Sequence, residues 1–154
     1  MRNDANAPLK LGVIGCGWAG QQAVHAAMAI PRIEVIALSD LEPDLIQNTL
    51  AAHPTIPCQY GPYQDLLQNA DIDAVYLAVN PVMRYSMVLD AIAARKHVMV
   101  QKPHAVRADQ ILEFEAAAEE MGVTLQFCYF MRHFPLNRQI RARIDAGAIG
   151  EPYH

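Results

Sequence analysis

Lys10-Leu-Gly-Val-Ile-Gly15-Cys-Gly17-Trp-Ala-Gly20 decides the fold, because it runs an apolar strand through a glycine turn directly into a helix. Leu11 to Ile14 deliver the backbone to Gly15, Gly17 and Gly20, and an Ala/Val-rich segment of helical character follows. This is the G-x-G-x-x-G dinucleotide fingerprint in the strand, turn and helix context that gives it meaning. Gly15 permits the tight turn, Gly17 lets the backbone approach a pyrophosphate, and Gly20 lets helix and sheet pack closely. The free N–H groups at the helix start, where Trp18 and Ala19 stand, then face the phosphates with the positive end of the helix dipole.

The next apolar run, Val35-Ile-Ala-Leu38, ends in Ser39-Asp40. Asp40 lies twenty residues beyond Gly20, where the fingerprint calls for a carboxylate on the ribose hydroxyls. Such a carboxylate repels a 2′-phosphate, and Leu41-Glu42-Pro43-Asp44 brings no Arg or Lys to compensate. The expected cofactor is NAD, ahead of NADP.

At 154 residues and 53% hydrophobic composition, the chain has the length and core material of one globular unit. A net charge of −4 without a basic stripe argues against a nucleic acid partner and offers nothing to an anionic membrane. No apolar run approaches the length of a membrane span. The start, Met1 to Pro8, is short and polar and lacks the apolar centre of a signal peptide, so it reads as a flexible arm on a cytoplasmic protein. Cys16, Cys58 and Cys128 show no paired or metal-like spacing and read as reduced packing residues. His25, His53, His97, His104, His133 and His154 are scattered without an i,i+4 pair or a cysteine partner, so no metal site is expected.

Apolar runs alternate with amphipathic segments along the rest of the chain, the pattern of a doubly wound α/β fold with a mostly parallel sheet. Val75 to Val79 and His97 to Val100 are nearly continuous apolar runs, as strands covered on both faces require. Val123 to Phe127 fits more loosely, and Cys58 to Tyr60 is a shorter candidate. Helices are expected near 17–30, 42–52, 62–69, 82–95, 107–121 and 136–146. Tyr85, Val88, Leu89 and Ile92 form one core stripe, and Ile111, Phe114, Ala118 and Met121 another. Asn80 is placed to cap a helix opened by Pro81, and Gly122 to end one.

Two further segments, Ala74-Val-Tyr-Leu-Ala-Val-Asn80-Pro81 and Ala94-Arg-Lys-His-Val-Met-Val-Gln-Lys102-Pro103, resemble the Gfo/Idh/MocA family of oxidoreductases, which includes glucose-fructose oxidoreductase and inositol dehydrogenase. Tyr129 to Pro135 and Ile144 to Gly150 are similar to that family's bridge out of its nucleotide domain. The resemblance runs from about Leu9 to His154. It implies a Rossmann domain over 9–128, a bridge over 129–154, and hydride transfer between a nicotinamide cofactor and a sugar, polyol or similar hydroxy compound. In the family, Glu-Lys-Pro follows the strand that here ends at Val100, and its lysine points at the substrate hydroxyl. The matching residues are Gln101, Lys102 and Pro103, which makes Lys102 the expected catalytic residue, since an ammonium there stabilises alkoxide charge. Val79, Asn80 and Pro81 are expected to line the nicotinamide side, and Gln101 and Pro103 the junction of cofactor and substrate.

Three departures stand out. Gln101 replaces the usual Glu, and Arg84 stands where His is common, reading as a surface helix arginine ahead of a contact for an anionic substrate group. His133 takes a place usually held by Phe. Family members continue into a second α/β domain that carries most substrate contacts, and the expectation here is a single domain without it. Turnover by this chain alone is therefore not expected. The alternative readings are a stand-alone NAD-binding module, acting as a redox sensor or as a subunit completed by another chain, and a truncated fragment. An apolar surface near 123–154, and through it a homo-oligomer or a complementary subunit, is a further expectation.

Overall fold

The computed structural model describes residues 7–151. The arm expected over 1–8 therefore lies, up to residue 6, outside the described residues. The elements run β1 (Leu9–Ile14), α1 (Trp18–Met28), β2 (Ile33–Ser39), α2 (Pro43–Ala52), β3 (Cys58–Tyr60), α3 (Tyr63–Leu67), β4 (Ala74–Leu77), α4 (Pro81–Ala93), β5 (His97–Gln101), α5 (Ala108–Met121), β6 (Leu125–Cys128), a 3-10 turn (Phe130–His133) and α6 (Pro135–Asp145). All pairings are parallel and the strand order is β3-β2-β1-β4-β5-β6. The order in which strands are added thus reverses between β1 and β4, the switch point where open α/β sheets form their clefts.

Alternation along the strands divides the core between two faces. Val13, Leu38 and Tyr76 point towards α1 and α2, where Val24, Ala27 and Ile46 meet them. Ile14, Val75, Leu77 and Val100 point the other way, onto Val88, Ile92, Phe114 and Ala118 of α4 and α5. Full burial of a side chain such as Phe114 contributes roughly 1.5–3 kcal/mol. β4 ends at Leu77, two residues before the end expected from the apolar run, and β6 begins at Leu125, two residues later than expected.

The helix ends follow local chemistry. Val82 N–H donates to Asn80 Oδ1 at 3.0 Å, and Pro81 occupies the first turn. Gly122 takes a φ of +65° and ends α5, with Val123 N–H donating to the Ala118 carbonyl at 3.0 Å and Gly122 N–H to that of Glu119. α6 contributes no buried residue to either face. Around it Phe130, Met131, Phe134, Leu136 and Ile140 are exposed, an apolar surface in the region where one is expected. Among the described residues no helix is long and apolar enough to cross a membrane.

Candidate active site

At the carboxyl edge of the sheet, the ends of β1, β2 and β4 enclose a cleft of about 450 Å³. Gly15, Gly17, Asp40, Val79 and Asn80 line it together, with Leu41, Tyr63, Met83 and Met87 supplying apolar wall. Five residues singled out in the sequence therefore meet in one place, and the apolar wall joins them from the loop after β2, from α3 and from α4.

Each glycine of the turn has its own reason. Gly15 adopts a φ of +95°, and a Cβ there would lie 2.9 Å from the Ala78 carbonyl. A Cβ on Gly20 would stand 1.8 Å from the carbonyl oxygen of Gly15, so α1 can approach β1 only without one. Gly17 is different: a Cβ there meets no protein atom within 4 Å. Its bareness serves no protein contact and leaves open space beside the cleft. α1 begins at this point, Trp18 is 76% exposed, and among the described residues no side-chain hydrogen bond caps the helix start. A bare backbone opening a helix fits a pyrophosphate, so the residues present suit a dinucleotide.

Asp40 is held by the backbone. Cys16 N–H donates to its Oδ2 at 2.7 Å and Glu42 N–H to its Oδ1 at 3.0 Å, which fixes the carboxylate at the cleft wall while each oxygen keeps a lone pair. Ser39 Oγ donates to the Gly61 carbonyl at 2.9 Å and closes the next loop. Burial, with the Asp40 charge second, pushes the Cys16 thiol up to about 12, so it stays protonated and inert.

Gln101, Lys102 and Pro103 leave β5 one strand further along and do not line this cleft. Lys102 is exposed, its backbone N–H donates to Gln101 Oε1 at 2.7 Å, and the Lys102–Pro103 peptide is cis. Pro81 and Ala19 are half-buried at the starts of α4 and α1.

Arg84 is not a surface arginine. It is 2% exposed, and its guanidinium donates to the carbonyls of Val79, Gln101 and Pro103. The stripe that α4 buries is Arg84, Met87, Val88, Ala91 and Ile92; it keeps Val88 and Ile92 of the expected stripe, and Tyr85 and Leu89 pack half-buried at its flank. Burial pulls the guanidinium below its ordinary value. His104 is a second residue that the sequence does not single out for the site. It is 7% exposed and packs against the rings of Phe127 and Tyr129, at centroid distances of 4.7 and 4.5 Å. Burial first, and then the Arg84 charge, lower its pKa against a hydrogen bond with the Cys128 backbone.

Residues 9–129 match the family described as GFO_IDH_MocA, "Oxidoreductase family, NAD-binding Rossmann fold". The chain is 34% identical over 153 residues to dTDP-3,4-didehydro-2,6-dideoxy-alpha-D-glucose 3-reductase of Actinomadura kijaniata, covering 98% of this chain and 46% of that protein. It is 33% identical over 146 residues to inositol 2-dehydrogenase of Burkholderia multivorans, covering 94% and 43%. Among solved structures, a 3-ketoreductase from A. kijaniata in complex with NADP and TDP-benzene superposes with a TM-score of 0.85 at 31% identity, covering 94% of this chain and 44% of that one. The chain thus spans less than half the length of the curated relatives it matches.

Proposed function

This chain belongs to the Gfo/Idh/MocA oxidoreductase family through its NAD-binding Rossmann domain, and from that premise we propose that it is the cofactor half of a dehydrogenase or reductase acting on a sugar, polyol or similar hydroxy compound. The observation that carries this reading is the bare backbone at Gly17, open at the start of α1 and sharing one cleft with Asp40. In this reading Gly15, Gly17, Trp18, Ala19 and Gly20 seat the pyrophosphate. Asp40 accepts from the adenosine ribose hydroxyls, and Val79 to Pro81 line the nicotinamide side.

A bound nicotinamide supplies hydride acceptance or donation, and the protein supplies position and charge. Lys102 is the proposed catalytic residue. It stands just past the carboxyl end of β5, and in this reading its ammonium takes part in uptake or release of the hydroxyl proton and stabilises alkoxide charge. Gln101 and Pro103 form the junction of cofactor and substrate. Orientation of the substrate belongs to a further domain or a complementary subunit. The apolar surface around Phe134 and Ile140 is offered as its seat, with a homo-oligomer as the other use of that surface. A cytoplasmic location completes the proposal.

Cofactor choice is the sharpest part of it. The A. kijaniata 3-ketoreductase is in complex with NADP, whereas Asp40 here presents a negative charge where a 2′-phosphate would lie, so NAD is the proposed cofactor. Calorimetric titration of the purified chain with NAD, NADH and NADP tests this. Saturable NAD binding with clearly weaker NADP binding is expected. No dinucleotide binding by a folded protein overturns the reading.

A further inference from the structure

Buried cations are costly, and structures keep them where partners repay the lost hydration. Among the described residues Arg84 has no carboxylate partner: its two terminal nitrogens donate to three backbone carbonyls, its buried Nε is left without a hydrogen bond, and the Tyr76 neighbour favours its charge. The rest of its stripe on α4 is apolar, so a Leu or Met at this position would continue the core at less cost. What an apolar residue cannot do is reach across. Val79 lies in the loop after β4, and Lys102 is flanked by Gln101, the last residue of β5, and by Pro103 in the loop that follows. The planar fork of an arginine can serve both loops at once, and a lysine ammonium matches that geometry poorly.

We propose that Arg84 is a positioning residue: it ties the nicotinamide-side loop at Val79 to the Lys102 loop, so that the cofactor's reactive end and the lysine share one rigid frame. The roles of Val79 and Lys102 in this statement rest on the proposed function. Lys102 is thereby anchored through the carbonyls on both sides of it, while its side chain stays exposed and free to reach a substrate.

Hydrogen exchange by mass spectrometry on the full chain tests the tie without any ligand. In Arg84→Met, peptides covering 78–83 and 101–106 are expected to exchange faster together, by about tenfold or more, while those of β1 and α1 keep their protection. Arg84→Lys, which keeps the charge and loses the fork, is expected to loosen the same two segments to a smaller degree. A second readout compares NADH with ADP-ribose. The wild-type chain is expected to bind NADH more tightly, and Arg84→Met to erase that difference while leaving ADP-ribose affinity in place. Loosening of one loop alone overturns the proposal, as does equal weakening of both ligands. If Arg84→Met loosens the whole domain, Arg84→Lys decides, and wild-type exchange in its two loops overturns the proposal. A wild-type chain that binds neither ligand strikes the proposed function, and the exchange result still decides the tie.

Discussion

The two sides of the cleft are shaped by opposite devices. In the turn after β1, space is made by side chains that are missing: Gly15 and Gly20 let backbones close to distances no Cβ would allow, and Gly17 leaves open room. Between β4 and β5, order is imposed by a side chain that is present, the buried Arg84 with its three carbonyls. A ligand's room and a loop's rigidity are therefore written in different residues. Damage to one side is expected to differ in kind from damage to the other.

The largest expected effect comes from Gly20→Ala. Its new Cβ meets a carbonyl oxygen at 1.8 Å, and backbone cannot swing aside as a side-chain tip can. A loss of about 3 kcal/mol or more in stability is expected, read from urea denaturation, together with loss of NAD binding. An unchanged midpoint would break the claim that α1 and β1 need this closeness. Gly17→Ala sharpens the comparison from the other direction. With nothing within 4 Å of its Cβ, stability is expected to stay within about 0.5 kcal/mol. NAD affinity is expected to fall about tenfold, or 1.4 kcal/mol, by calorimetry. Unaltered affinity would mean that the open space is not where the pyrophosphate lies.

Asp40→Ala carries a smaller and mixed cost. It removes the acceptor for Cys16 and Glu42 N–H groups at the rim of the glycine turn, for about 1 kcal/mol of stability. It is also expected to weaken NAD and relax discrimination against NADP, measured by parallel titrations. Retained selectivity would assign the ribose to another residue.

The legible part of this molecule is the part governed by local backbone demands. Gly15 and Gly122 need positive φ, Asn80 and Pro81 open a helix, and the glycine turn sits between a strand and a helix, all within a few residues of sequence. β3 was faint because only three residues pair there, at the sheet edge. Arg84 was hidden by its charge. The spacing 84, 87, 88, 91, 92 is a regular helical stripe, yet an arginine at its head reads as solvent-facing until the carbonyls of two other loops are in view. His104 was hidden for the same reason: its neighbours Phe127 and Tyr129 lie more than twenty residues away in sequence.

His104 also gives the mildest test of the same contrast, because it follows Pro103, whose carbonyl Arg84 holds. The groups acting on it are the Arg84 cation, which opposes its protonation, and the Cys128 backbone, which favours it, while Phe127 and Tyr129 shield it from water. Burial leads, so its folded-state pKa lies below the ordinary 6.5. The unfolded chain then takes up the proton first as pH falls, and proton uptake by the unfolded state draws the equilibrium towards it. The stabilisation from a neutral His104 is thus complete above about pH 6.5 and is lost as pH falls from there through the folded-state value. Urea midpoints are expected to decline across that window in the wild type. The decline is expected to be shallower in His104→Phe, which keeps a ring against Phe127 and Tyr129 and has nothing to titrate. Equal slopes for the two proteins would show that the histidine is hydrated in solution, and with it that the loop after β5 is looser than a buried Arg84 implies.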